Sequence, residues 1–209
     1  MPRPDYSLHD SSGRRKYLTA AELQSYLDAI EPALSMREID EPRKTLARLV
    51  ALTGCRISEA IKVRYRDVEL VEVTKADGTI IKGADVTFDS LKWRKSHFRT
   101  VTVGQELRNA LLSGNHLTRN KKDNPDAFVW DISRPTAFRT IQAVMKHAGI
   151  KGSHANARGL RHAYIVKNVQ RGVPPHQIAQ WAGWSTIAML QIYSDLQSDE
   201  KRALALSVW

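Results

Sequence analysis

Arg158, Arg161, Trp184 and Tyr193 set two guanidinium groups, an indole donor and a phenol at fixed intervals in the C-terminal quarter of the chain, and Arg56 adds a third guanidinium from about a hundred residues earlier. A tyrosine hydroxyl is a poor nucleophile at neutral pH, because the phenol pKa is about 10. To attack phosphorus it must lose its proton, and the phosphate charge must be neutralised. Guanidinium groups meet the second requirement, because they stay charged and offer a planar fork of donors to phosphate oxygens. An indole adds one N–H donor and no acceptor, so Trp184 can position a phosphate but cannot shuttle a proton. Together these side chains form a kit for opening a phosphodiester with a protein hydroxyl.

Arg158 and Arg161 lie three apart, as do Arg56 and Glu59, so on helical turns each pair shares a face. An isolated Arg-x-x-Arg is ordinarily a solvated basic face, and an isolated Arg-x-x-Glu an ordinary surface ion pair. Their separation into two distant blocks calls for a folded domain that brings them together.

The elements that must do so are mostly helical. Leu18-Thr19 with Glu22 and Leu23 has the spacing of a capping box and hydrophobic staple, which predicts a helix running to about Ile30. Pro42 suits a first turn, and Leu46, Leu49, Val50 and Leu52 give the next helix an apolar face ending at Gly54. A short helix follows from Ile57 or Ser58. Between Asp67 and Val103 the period shortens: Val68, Leu70, Val71 and Val73, the turn Asp77-Gly78, Val86-Thr87-Phe88 and Val101-Thr102-Val103 predict a small antiparallel sheet. Helical patterns resume over about 105–113, 135–148, 156–171, 174–182, 186–195 and 199–206, with residues 118–125 reading as a polar loop. The expected class is mainly α with a small antiparallel β-sheet, α+β. A basic, mobile arm (1–17) precedes a single domain (18–197) and a short apolar tail (198–209).

The 209 residues carry 32 Lys+Arg against 22 Asp+Glu, a formal net charge of +10, which favours a polyanionic partner such as nucleic acid. Cys55 is the single cysteine, so the chain forms no internal disulfide and has no thiolate cluster for a metal; a buried apolar filler suits it better than a reactive thiol. Nothing has a signal-peptide or membrane-spanning pattern, and a cytoplasmic, nucleoid-associated location fits.

The blocks in combination resemble the catalytic domain of the tyrosine recombinase (phage integrase) family over roughly residues 17–196. The resemblance rests on Leu18-Thr19, on Thr53-Gly54-Cys55-Arg56-Ile57-Ser58-Glu59 with Asp67-Val68, and on Gly159-Leu160-Arg161-His162. It continues through Gly172-Val173, Ile178, Trp184 and Tyr193, with 23 residues from Arg161 to Trp184 and 9 more to Tyr193. It implies a site-specific DNA recombinase working through a 3′-phosphotyrosyl intermediate. Arg56 and Arg161 would hold the scissile phosphate, Tyr193 would attack it, and Trp184 would stand where histidine is frequent. A lysine on the β-hairpin would protonate the leaving 5′ oxygen: Lys92 fits best and Lys95 competes. Arg94, Lys95 and Arg99 on that hairpin would contact DNA, and Glu59 would orient Arg56.

Position 158 departs from the family, which has histidine or sometimes lysine there. An arginine is essentially never neutral and makes a poor base. His154, His162 and His176 are the alternatives for receiving the Tyr193 proton, with His162 placed by the resemblance as a supporting residue behind the site. No metal or cofactor is expected. The implied partner is double-stranded DNA, on which the chain would assemble as a tetrameric synapse, its tail packing on its own domain or docking on a neighbour. The resemblance leaves open a minimal recombinase or an excised catalytic domain. Type IB topoisomerase activity and a non-catalytic DNA-binding regulator are the rival functions.

Overall fold

The computed structural model describes residues 8–36, 39–92, 95–193 and 205–206, and of residues 90–92, 95–97, 191 and 192 the backbone alone. Helix α1 (Ala20–Asp28) opens with the expected capping box: the Thr19 hydroxyl accepts from the Glu22 amide at 3.2 Å, and the Glu22 carboxylate accepts from the Thr19 amide at 2.8 Å. A short α2 (Ile30–Ser35) leads to α3 (Glu41–Thr53). Asp40 caps α3 by accepting from the Arg43 amide at 2.9 Å, and Pro42 sits in its first turn, where no amide is missed. Its Leu46, Leu49 and Val50 are fully buried, and α3 packs against α2, α5, α7 and α8. Helix α3 stops at Gly54, which turns left-handed (φ 60°). A side chain there would be strained by that φ, and its Cβ would lie 2.7 Å from the Tyr164 ring.

After the four-residue α4 (Ile57–Ala60), strands β1 (Val68–Thr74), β2 (Ile80–Lys92) and β3 (Lys95–Gly104) form an antiparallel sheet in that order. Val86 pairs with Val68 on one side and Val101 on the other, and Lys92 pairs with Lys95 at the far end. Ala84, Val86 and Phe88 alternate inward, buried. On the other face the Thr87 and Thr100 hydroxyls lie 2.9 Å apart and Thr102 donates to Asp85 at 2.6 Å. Helix α5 (Gln105–Gly114) returns against β2 and β3.

Residues 118–125, expected as a loop, instead belong largely to a helix, α6 (Leu117–Asp123). Tertiary anchors override the polar composition. Leu117 is buried, Asn120 donates to the Tyr65 hydroxyl at 2.8 Å, and Lys121 donates to the Val68 carbonyl at 2.8 Å. Then come α7 (Arg134–His147), α8 (Ala157–Gln170) and α9 (Pro175–Ala182). The helix expected over 186–195 is a 3₁₀ segment, Ile187–Tyr193. Its three-residue repeat aligns Leu190 with Tyr193, and both pack on the α9 side.

Two clusters of buried side chains flank α8. The large one gathers α1 to α3, the inner face of the sheet, α5 and α7. The small one joins Tyr164, Ile165 and Val166 of α8 to Ile178, Ala182 and Tyr193, and it includes Leu8 and Tyr17. The segment expected as a mobile arm therefore packs from Leu8 onward. Leu8 and Tyr17 are almost fully buried, and Arg15 is held by Glu22. The two apolar side chains interrupting the basic run supply the reason. The tail expected as a docking element lies outside the described residues, apart from 205 and 206. Among the described residues no helix is long and apolar enough to cross a membrane.

Candidate active site

A cleft of about 630 Å³ opens between α4, the start of α7, the start of α8 and the 3₁₀ segment. Arg56, Arg158, Arg161, Trp184 and Tyr193 all line it, as does His162. Arg158, Arg161 and His162 come from successive turns of one face of α8, as spacings of three and four residues require. Asn156 fixes the start of that helix by accepting from the amides of Arg158 (2.8 Å) and Gly159 (3.1 Å). Gly159 allows a tight approach: a Cβ there would lie 1.9 Å from the His154 carbonyl oxygen.

Arg161 is clamped by backbone. Its Nη1 donates to the Gly54 carbonyl at 2.7 Å and its Nη2 to the Ala182 carbonyl at 2.6 Å. These carbonyls sit at the C-terminal ends of α3 and α9, where unpaired acceptors and the negative end of the helix dipole favour a cation. Burial, with Arg56 close by, lowers the Arg161 pKa to about 10, so it remains charged at neutral pH.

Arg56 is held by Glu59, whose Oε1 lies 2.6 Å from Nη1 and whose Oε2 accepts from the Arg56 amide at 2.8 Å. Burial alone would raise the Glu59 pKa. The Arg99 charge, the Arg56 amide and the Arg56 charge outweigh it and leave the carboxyl at about 2. Arg99 is a correction to the sequence reading. Expected to contact DNA from the hairpin, it is buried: it donates to Glu59 at 2.9 Å and to the Trp181 carbonyl at 2.8 Å, and it stacks 4.7 Å over Phe88. Strand alternation turns position 99 toward the inner face, and the Glu59 carboxylate stabilises its charge there.

Tyr193 is 1% exposed, with its hydroxyl 2.7 Å from His162 Nδ1 and its ring 5.9 Å from that of Trp184. Burial pushes its phenol pKa above the ordinary value, against the opposing pull of Arg161 and Arg158. Trp184 also lies within 5.8 Å of the Arg161 guanidinium. Burial, then the charges of Arg158, Arg161 and Lys16, lower the His162 pKa to about 4, so this imidazole is neutral at pH 7.

The other histidines considered are placed elsewhere. His154 Nε2 lies 3.4 Å from Glu22, and His176 is exposed on α9 away from the cleft lining. Arg158 is exposed at the rim. Cys55 is a buried wall residue whose thiol burial raises to about 11. Lys92 and Lys95 end their strands as a register pair, but their side chains lie outside the described residues, as does Arg94 altogether. Sequence reasoning missed Arg134, Phe138 and Gln142, which line the cleft from α7. In sequence only Pro135 marked that helix start, and it does not say that the helix faces α4.

The family model for the phage integrase family matches residues 16–200 of this chain. Among curated proteins, the chain is 27% identical over 188 residues to the tyrosine recombinase XerD of Corynebacterium glutamicum, covering 88% of this chain and 58% of that protein. It is also 27% identical to a probable integrase/recombinase of Aquifex aeolicus, covering 90% of this chain and 64% of the relative. Among solved structures, the XerH site-specific recombinase bound to difH substrate in a pre-cleavage complex superposes with a TM-score of 0.66. That match covers 94% of this chain and 59% of that one at 14% identity. A crystal structure of XerA recombinase superposes with a TM-score of 0.65, covering 91% of this chain and 64% of that one at 22% identity. The chain thus spans between half and two thirds of the length of these relatives.

Proposed function

The chain belongs to the phage integrase family, and from that premise we propose that it is a site-specific DNA recombinase that breaks and rejoins strands through a 3′-phosphotyrosyl intermediate. The observation that carries this reading is the convergence of Arg56, Arg158, Arg161, Trp184 and Tyr193 on one cleft. Tyr193 Oη attacks the scissile phosphorus in line and the P–O5′ bond breaks, leaving a free 5′ hydroxyl. A 5′ hydroxyl from another strand reverses the step, so bond energy is conserved without a nucleotide cofactor. Arg56, Arg158 and Arg161 neutralise charge on the non-bridging oxygens, and Trp184 donates its indole N–H. Lys92 serves as general acid for the departing oxygen and general base on return; Lys95 is the alternative at the same end of the hairpin.

The substrate is double-stranded DNA, in keeping with the charge of +10. The protein acts in the cytoplasm on the nucleoid and assembles as a tetrameric synapse, with residues 198–209 contributing to assembly. Deleting that tail is expected to reduce synapse formation more than single-site binding.

The deciding experiment is trapping. Wild-type protein incubated with nicked duplex DNA from the encoding locus should form a covalent adduct stable to denaturant, and Tyr193→Phe should form none. An adduct with Tyr193→Phe would remove the nucleophile from its assigned position. Relaxation of random-sequence plasmid by a monomer would replace recombination with topoisomerase action.

A further inference from the structure

We propose that His162 is the catalytic base that receives the Tyr193 proton. The assignment rests on the proposed function and adds a residue to its machinery. A phenol in a site rich in guanidinium groups needs a neutral acceptor in contact with its oxygen. Arginine cannot serve, because it does not deprotonate under these conditions. Glu59 is an acceptor, but its two oxygens are engaged by Arg56 and Arg99. His154 faces Glu22 and His176 faces solvent. Among the described residues His162 is the histidine that lines the cleft, and its Nδ1 lies at hydrogen-bond distance, 2.7 Å, from Tyr193 Oη.

The environment of His162 also suits the role. The groups that face it are Arg158 and Arg161 from α8, Lys16 from the N-terminal segment, and Tyr193 from the 3₁₀ segment. Burial first, and then these three cations, disfavour imidazolium, so the ring is neutral when the nucleophile is at rest. In the Nε2–H tautomer, Nδ1 presents a lone pair to the phenolic proton. Burial holds that proton on Tyr193 in the free protein. An arriving phosphodiester brings negative charge among the same cations, which offsets their effect and raises the basicity of His162.

The step balances. The Tyr193 Oη–P bond forms as the phenolic proton moves to His162 Nδ1, giving imidazolium. The P–O5′ bond breaks as the general acid protonates O5′. In the return step the 5′ hydroxyl attacks and gives its proton to the deprotonated lysine, the Oη–P bond breaks, and imidazolium returns its proton to the phenolate.

The test measures single-turnover adduct formation on nicked duplex DNA. Tyr193→Phe serves as the control: if wild type forms no adduct, or Tyr193→Phe does, the functional reading fails and not this assignment. Given that control, His162→Gln should slow adduct formation by about 10²-fold or more with DNA affinity unchanged. Its acid limb in the pH–rate profile should vanish while the alkaline limb persists. Placing a fluorinated, more acidic tyrosine at 193 should shrink the His162→Gln penalty at least about tenfold, since a weaker base suffices for a better acid.

A 5′-bridging phosphorothiolate, whose sulfur leaves without protonation, should not rescue the variant; rescue would move His162 to the leaving group and overturn the assignment. So would a rate within about threefold of wild type, or a penalty unchanged by the fluorinated tyrosine. If His162→Gln does not fold, the ¹⁵N resonance of His162 Nδ1 in the wild-type chain decides. It should shift in Tyr193→Phe, and an unchanged resonance would refute the contact.

Discussion

Arg161 and Tyr193 face the same cleft, yet they are held by different parts of the molecule. Arg161 is fixed by carbonyls at the ends of two helices, and Arg56 by a buried carboxylate that also binds Arg99. These supports join α3, α4 and β3, whose side chains belong to the large buried cluster, to the end of α9, where Ala182 belongs to the small one. Tyr193 ends a 3₁₀ segment and packs in the small cluster, whose other walls include Leu8 and Tyr17 near the start of the chain. The phosphate-binding half is thus preorganised, which is what electrostatic stabilisation of a transition state requires. The nucleophile half rests on fewer buried side chains, so its local opening costs less.

Removing the buried charge on the arginine side should have the largest effect. Glu59→Gln keeps the shape but leaves Arg99, whose side chain is 4% exposed, without its carboxylate. A loss of about 3–5 kcal/mol in urea unfolding is expected. The carboxyl is held at about 2, below its ordinary 4.5. Its stabilisation is therefore fully present above pH 4.5 and is lost as pH falls toward 2. The variant should lack that acid window. On the tyrosine side, His162 is depressed from 6.5 to about 4. The folded state takes up this proton less readily than the unfolded chain, so its stabilisation is lost from about pH 6.5 down to 4. The tyrosine half should loosen first on acidification, as read by hydrogen exchange; loss of both halves together would erase the distinction.

The next effect is kinetic. Arg161→Lys keeps the charge, but one ammonium cannot reproduce the guanidinium fork between Gly54 and Ala182. Adduct formation should fall by about 10²–10³-fold, with a smaller change in unfolding free energy than Glu59→Gln produces. A mutant at near wild-type rate would mean that Arg161 supports the fold and leaves the phosphate to others.

The arginine half was more legible in sequence than its supports were. Arg56, Glu59 and Arg161 stand out because their intervals are local and their partners chemical. Gly54 signalled a helix stop, but that its carbonyl clamps Arg161 depends on how α3 meets α8, a packing fact without local signature. Arg99 was misread for a related reason. A basic residue on a basic hairpin looks solvated until strand register turns it inward toward Glu59. His162 was visible as a neighbour of Arg161, while its contact with Tyr193 is set by the 3₁₀ winding, where periodicity suggested a full helix. The packing of Leu8 and Tyr17 was hidden by the charged residues around them.

That packing supplies the next contrast. Leu49 and Leu8 are both almost fully buried, one in the middle of α3 and one close to the chain start. Leu→Ala costs about 2–5 kcal/mol, depending on how far the surroundings can collapse. Leu49→Ala should fall near the middle of that range and Leu8→Ala near the bottom, because the segment carrying Leu8 can settle into the space left. Equal losses in urea unfolding would mean that the two clusters are one cooperative unit.

The smallest expected effect is also the most local. Thr19→Ala removes the hydroxyl half of the capping box and should cost about 1 kcal/mol. The cost should not spread evenly. Glu22, the other half of the box, also binds Arg15, and Arg15 Nη1 donates to the Tyr17 carbonyl at 3.0 Å. With the hydroxyl gone, Glu22 loses one of the contacts that orient it, and the strain passes toward Tyr17 and the small cluster. Amide exchange should accelerate at residues 8–17 and in the first turn of α1 while the centre of α3 keeps its protection. Faster exchange across α3 as well would show that the cap stabilises the whole domain and that the nucleophile half has no separate foundation.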